Sequence, residues 1–260
     1  MTPEELVARL LYRDGLMLVV DKPAGIPVHR GPKGGENLEA YFDALRFGLP
    51  RSPALAHRLD RDTSGCLVLG RHRKALQRLM QLFKQGRVEK TYWAVVEGSP
   101  SADAGEIDKP LGRLDAERGW WMRVDPLGAP SRTRWRVIGR GTSPQGAPLA
   151  FLELEPLTGR THQLRVHCAA MGSPVLGDRA YGSGKAEGAP PLHLHARRIV
   201  VPIDKHKAPA IVEAPVPAHM QAALRACGWG GASENVDEMP VPIHRHSDEE
   251  AVVMVVHGRS

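Results

Sequence analysis

The chain breaks into short apolar runs separated by polar turns, and the period of the apolar positions changes along it. Leu16 to Val20 is a compact apolar run closed by Asp21-Lys22-Pro23-Ala24-Gly25, which predicts a strand entering a turn. Residues 37–47 set Leu38, Tyr41, Phe42 and Leu45 on one helical face. Cys66 to Leu69 reads as a buried strand. The next segment carries Ala75, Leu76, Leu79, Leu82 and Phe83 at helical spacing, with Gly86 as its stop. Glu89 to Glu97 returns to strand, and the Gly- and Pro-rich stretch 98–131 predicts loops or a small hairpin region. Trp135 to Ile138 and Leu149 to Leu154 predict two more strands, residues 161–171 a helix ended by Gly172, 192–203 a strand and 217–227 a last helix.

Strands and helices mix without the βαβα alternation of a doubly wound sheet. The expected fold is therefore α+β, a mixed, mostly antiparallel sheet flanked by helices and loops. No period of 20–50 residues points to a repeat protein. Residues 1–228 read as one catalytic domain and 229–260 as an acidic C-terminal extension, either packed on the body or loosely ordered.

Composition narrows the class. Hydrophobic residues make up 42% and charged residues 25% of the 260, ordinary for a soluble globular chain with a sizeable core. At 5% aromatics, no extended stacking platform for single strands is expected. No apolar run approaches the roughly 20 residues that span a bilayer, and the start MTPEELVARL lacks the basic-then-apolar order of a secretion signal. Cys66, Cys168 and Cys227 are odd in number and widely spaced, which suits idle thiols in a reducing compartment. The expected location is the cytoplasm. Residues 1–230 carry 33 basic side chains against 23 acidic, and 51–90 alone carry ten against three. Such a surplus points to a polyanion partner or to a solvated basic surface.

Three segments crowd polar residues where a core should be apolar. His57 to Gly65, HRLDRDTSG, precedes a buried strand, and Asp62-Thr63-Ser64-Gly65 has turn chemistry. Asp60 is thus expected on a connecting loop, where scaffolds hold reactive groups. Gly159 to His167, GRTHQLRVH, places Thr161 as a helix cap and Arg165 one turn later, able to pair bidentately with a loop carboxylate. In Lys90-Thr91-Tyr92 the first and last residues share a strand face, and Tyr92 alone is equally an ordinary core aromatic. His193 and His195 lie two apart on a predicted strand, as do His244 and His246 further on, but no carboxylate or cysteine cluster makes a metal site of either pair. Gly31-Pro32-Lys33-Gly34-Gly35 lacks the spacing of a phosphate-cradling loop.

Together these segments resemble the RluA-type pseudouridine synthase family. HRLDRDTSG fits its catalytic signature. GRTHQLRVH with Gly172, Pro174, Gly177-Asp178 and Tyr181-Gly182 fits a second, and DKPAG at 21–25, EKTYWAVVEG at 89–98, LHARRIVV at 194–201 and APVP at 214–217 follow in the family's order. The resemblance runs from about Asp14 to Ala226.

The resemblance implies an isomerase that converts uridines in RNA to pseudouridine without metal or nucleotide cofactor. It implies that Asp60 is the essential carboxylate and that Arg165 pairs with it and keeps it ionised. Tyr92 is implied to pack on the target base and help remove its carbon-5 proton, and Arg58 to help displace the flipped nucleotide. His57 and His162 are implied neighbours, and with Arg58, Arg61, Lys90 and Arg160 they form the set expected to contact RNA. Only about a dozen residues precede the matching region, which favours the shorter members, acting on tRNA, rRNA or both, and no obligate protein partner is implied, so a monomer is expected. Two alternatives stand beside this: a glycoside hydrolase pairing Asp60 with a second acid, and an RNA-binding module of the same fold without activity.

Overall fold

The computed structural model describes residues 1–31, 34–114 and 121–231. The expectations for residues 232–260, including His244 and His246, lie outside the described residues.

The chain opens with α1 (Pro3–Ala8) and β1 (Leu10–Arg13), then β2 (Met17–Lys22), a 3-10 helix (Leu38–Leu45), β3 (Ala54–Leu55) and β4 (Ser64–Gly70). Next come α2 (Arg73–Lys84), β5 (Glu89–Glu97), β6 (Ala104–Asp108), β7 (Leu111–Arg113) and β8 (Met122–Val124). Long strands β9 (Arg132–Thr142) and β10 (Pro148–Pro156) lead to α3 (Gln163–Ala170), β11 (Leu194–Val201), β12 (Ala210–Glu213) and α4 (Ala218–Ala226). The main sheet runs β1-β2-β4-β11-β5-β10-β9-β6, with β12 on β11 and β3 on β4, while β7 and β8 form a separate arm. Within the described main sheet only β4 and β11 pair in parallel. The mixed, mostly antiparallel sheet is as the sequence predicts.

Alternation of side chains along the strands builds the core on both faces. Met17, Val19, Cys66 and Val68 pack with Ala75, Leu79 and Leu82 of α2. Their sequence neighbours Leu18, Val20, Leu67 and Leu69 face the other way, onto Leu38, Phe42 and Leu45 of the 3-10 helix. The second half repeats the plan. Ala94, Val96, Ala150 and Leu152 meet Leu164 and Cys168 of α3, and Trp93, Val95, Leu149 and Phe151 meet Met220 and Leu224 of α4. Buried on both faces, β4 reads in the sequence as an unbroken apolar run.

Several boundaries differ from the sequence reading. The segment 37–47 is a 3-10 helix over 38–45, capped by the Asn37 side chain, which accepts from the Ala40 N–H at 3.2 Å. The turn lies at 60–63, closed by Thr63 N donating to the Asp60 carbonyl at 3.2 Å, so Ser64 and Gly65 already belong to β4. Thr161 does not cap α3. His162 occupies the cap position in a left-handed conformation, φ 53°, and makes no capping bond. The short edge elements α1, β1 and β12 carry too few apolar positions to show a period.

The two halves of the sheet meet where β4 and β11 run side by side, pairing Ser64 with His195 and Gly65 with Ala196. Gly65 has φ 105°, and a Cβ there would stand 2.3 Å from the Ala196 carbonyl oxygen. Only glycine tolerates both the backbone conformation and the approach. Gly65→Ala is therefore expected to cost on the order of 2–4 kcal/mol in urea unfolding. Gly15→Ala, where nothing lies within 4 Å of a new Cβ, is expected to stay within about 0.5 kcal/mol of the parent.

Candidate active site

The loop that carries Asp60 is tied from below by a buried lysine. Lys22, at the end of β2, is 0% exposed, and its Nζ donates to the carbonyls of Pro23, Arg61 and Thr63, each at 2.8 Å. Burial pulls its pKa down to about 7, against the charges of Asp62, Asp60 and Asp21. Gly25 and Arg61 reinforce the tie: Gly25 N donates to the Arg61 carbonyl at 3.0 Å, and Arg61 Nε donates back to the Gly25 carbonyl at 3.0 Å. The DKPAG segment is thus a clamp on the HRLDRDTSG loop.

Across from this loop, the first turn of α3 presents Arg165. Its bidentate partner is Asp178, not Asp60. Nε and Nη2 each donate to the Asp178 carboxylate at 2.7 Å, and Asp178 is 0% exposed. The same carboxylate accepts from the backbone N–H groups of Ala180 (2.8 Å) and Tyr181 (3.1 Å). Burial opposes charge on Asp178, but the bonds and charge of Arg165 with these N–H groups outweigh it and hold its pKa below the ordinary value. Gly177 makes the turn possible: φ is 78°, and a Cβ would lie 2.3 Å from the Pro191 carbonyl oxygen.

With two nitrogens fixed, Arg165 still aims Nη1 at Asp60, 3.9 Å from Oδ2. His162 approaches the same oxygen, its Nε2 3.8 Å away. The Nδ1 of His162 lies 2.8 Å from the Tyr181 hydroxyl, which also accepts from Met122 N at 2.9 Å. Burial lowers the pKa of His162, and Asp60 partly offsets this. Tyr92, on β5, packs against the core on both sides of the β4–β11 junction. Burial raises the pKa of its phenol, and the nearby Asp60 charge raises it further. Asp60 and Arg165 thus face one another at 3.9 Å, and the Asp60 charge is felt at the Tyr92 phenol.

A cavity of about 830 Å³ opens beside them. Asp60, Arg61, His162 and Arg165 line it, together with Trp121, Arg179 and His219. The remaining sequence candidates distribute unevenly. Arg58 and Arg160 are exposed, the latter donating from Nε to the Pro130 carbonyl at 3.1 Å. His57 is turned inward. Its Nε2 accepts from Val68 N at 3.0 Å, its ring stacks on Phe83 at 4.5 Å, and burial lowers its pKa to about 3. Those contacts make it a structural histidine. The charge of Lys90 is felt at His57, and burial lowers the pKa of Lys90 itself. His193 and His195 do not share a ligand: His195 Nδ1 meets the Ser64 hydroxyl at 2.8 Å and His193 Nδ1 the Pro191 carbonyl at 2.8 Å. Among the described residues no group of three or more candidate ligands is placed to hold a metal ion.

Lys22, Asp178 and Tyr181 are site residues that sequence reasoning passed over. All three sat inside quoted motifs but carried no separate signal. An aspartate following a glycine reads as a turn former, and a lysine before proline as a surface charge.

Residues 16–170 match the family described as RNA pseudouridylate synthase. An uncharacterised RNA pseudouridine synthase of Zymomonas mobilis is 42% identical over 214 residues, covering 82% of this chain and 95% of that protein. Ribosomal large subunit pseudouridine synthase C of Vibrio cholerae is 36% identical over 231 residues, covering 85% of this chain and 69% of that protein. Among solved structures, human RNA pseudouridylate synthase domain containing 1 aligns with a TM-score of 0.68 at 32% identity, over 83% of this chain and 85% of that one.

Asp178→Ala would leave a buried guanidinium uncompensated, an expected loss of about 3–5 kcal/mol by urea unfolding. Because the folded pKa of Asp178 lies below its unfolded value, the stabilisation is complete above about pH 4 and is lost as pH falls through the lower folded value. The stability gap between parent and Asp178→Ala is accordingly expected to narrow only in that acid range. Lys22→Met removes the donor to three carbonyls. It should lower stability by roughly 3 kcal/mol and speed amide hydrogen exchange across residues 60–63.

Proposed function

As this chain belongs to the RluA-type RNA pseudouridylate synthase family and is an isomerase acting on RNA, we propose that Asp60 is the carboxylate that carries the rearrangement, with Arg165 and Tyr92 beside it. The observation that supports this most directly is the placement of Asp60 on the cavity wall, 3.9 Å from an arginine whose other nitrogens are already engaged.

The reaction breaks the bond between uracil N1 and ribose C1′, turns the base, and joins C5 to C1′. The proton on C5 is lost and N1 gains one, so composition and oxidation state are unchanged. A uridine stacked in RNA presents none of these atoms, and the nucleotide must swing out at a cost of a few kcal/mol. Exposed Arg61 and Arg179 line the cavity, and with the exposed Arg58 and Arg160 they offset that cost by gripping phosphates. His57 and Lys90 are better assigned to the scaffold behind the loop.

Each of the three side chains has a separable task. Asp60 acts on the ribose while the base departs. Arg165 faces the carboxylate without leaving Asp178, so it supplies charge without reorganising. Burial and the Asp60 charge both keep the Tyr92 phenol neutral, so it meets the base first as a packing surface and hydrogen-bonding group.

The Vibrio relative is named for the large ribosomal subunit, which favours rRNA over tRNA as the target. No obligate protein partner is invoked and the enzyme works as a monomer, and three free, buried cysteines suit the cytoplasm.

The test uses RNA labelled with tritium at uracil C5, prepared from cells lacking the enzyme, since bond formation at C5 releases the label to water. The parent enzyme is expected to release tritium and to restore pseudouridine at one or a few mapped sites. Asp60→Asn should reduce the rate by at least about 1,000-fold while binding the RNA within a few-fold of the parent. Unimpaired release by Asp60→Asn would remove Asp60 from the chemistry.

A further inference from the structure

The two oxygens of the Asp60 carboxylate are not equivalent. Arg165 Nη1 and His162 Nε2 both make their closest approach to Oδ2, at 3.9 and 3.8 Å. On the reading of Asp60 as the catalytic carboxylate, we propose that His162 is a positioning residue: its Nε2–H, with Arg165 Nη1–H, captures Oδ2 and thereby makes Oδ1 the atom that meets the ribose.

Hydrogen-bond satisfaction around Tyr181 places the proton. The hydroxyl accepts from Met122 N at 2.9 Å and lies 2.8 Å from His162 Nδ1. A phenol has one proton to donate. With one lone pair taken by Met122, the arrangement that uses that proton sends it to Nδ1. Neutral His162 then carries its own hydrogen on Nε2, aimed at Asp60. The second ring nitrogen fixes the tautomer and orientation of the first, as a partner does for catalytic imidazoles.

The backbone supports this reading. His162 is one of two described non-glycine residues with positive φ, at 53°, and it makes no cap bond to α3. A β-carbon at such φ is a cost that persists where surrounding structure dictates it, and such strain gathers at working sites. Here the left-handed step places the imidazole between Asp60 and Tyr181. The separations of 3.8 and 3.9 Å exceed hydrogen-bond length. Contacts of this kind tighten when substrate displaces solvent from the carboxylate. Because Oδ2 faces two N–H donors presented by one turn of chain, at positions 162 and 165, the two carboxylate oxygens are told apart, whether Oδ1 attacks C1′ or takes a proton from C2′.

A structural role and a positioning role predict opposite orders for two variants. Asparagine tolerates positive φ well, and its amide falls where Nδ1 does, so it keeps the Tyr181 contact but loses the donor toward Asp60. Glutamine is less suited to the backbone, but its amide nitrogen falls near Nε2 and restores that donor. Turnover of C5-tritiated RNA is measured at saturating and limiting RNA, alongside thermal melting and RNA binding. His162→Asn should melt like the parent, leave KM within about twofold and lower kcat by about 30-fold or more. His162→Gln, even if it melts lower, should recover kcat to within about fivefold. Glutamine no better than asparagine in kcat would overturn the proposal, as would a change confined to KM. The parent and Asp60→Asn, run in parallel, report separately on whether Asp60 is catalytic at all.

Discussion

A buried guanidinium held by a buried carboxylate organises the centre of this molecule. Arg165 and Asp178 satisfy one another through two 2.7 Å bonds, and removal from water makes the pair intolerant of losing either member. Two local features make the pair possible. The glycine at 177 lets the chain turn tightly against Pro191, and the backbone N–H groups that follow converge on the Asp178 carboxylate. What results is an arginine with no freedom to wander, offering one remaining nitrogen to the cavity. The charge near Asp60 is thus part of the fold rather than of a mobile side chain.

The opposite wall follows a different logic. There the fixed element is a lysine that is wholly buried and bonded only to carbonyls. It ties the Pro23 carbonyl to those of Arg61 and Thr63 in the Asp60 loop, so the peptide segment around Asp60 is held although it lies outside regular structure. Between the walls, Gly65 lets β4 approach β11 closely at Ala196.

Much of this was legible in the residues. The strands at 17–22, 64–70, 89–97 and 148–156 and the helices at 73–84 and 218–226 are long or uniformly apolar enough for their period to show. The edge elements were not, because a half-exposed strand of four residues has no pattern to detect. At the site, Asp60, Arg165 and Tyr92 were legible as motif positions, and the first two face one another across the cavity wall. Arg165 does face Asp60, at 3.9 Å, but its bidentate partner is Asp178, which the sequence did not single out. A buried guanidinium needs a buried counterion, and Asp60 lines the cavity. His57 was misplaced for the converse reason. Its neighbour Arg58 is exposed, and nothing in the sequence shows that the histidine ring turns inward to stack on Phe83.

The parallel pairing of β4 with β11 carries a consequence for the order of assembly. Ser64 and His195 are 131 residues apart in sequence, and the Asp60 loop feeds directly into that pair. Local hairpins form early, whereas a contact of this span waits on slow loop closure. During synthesis the N-terminal half can collapse with its carboxylate still unplaced, since the strand that completes its frame has not left the ribosome. Competence to modify RNA is therefore a property of the finished chain, acquired late and all at once.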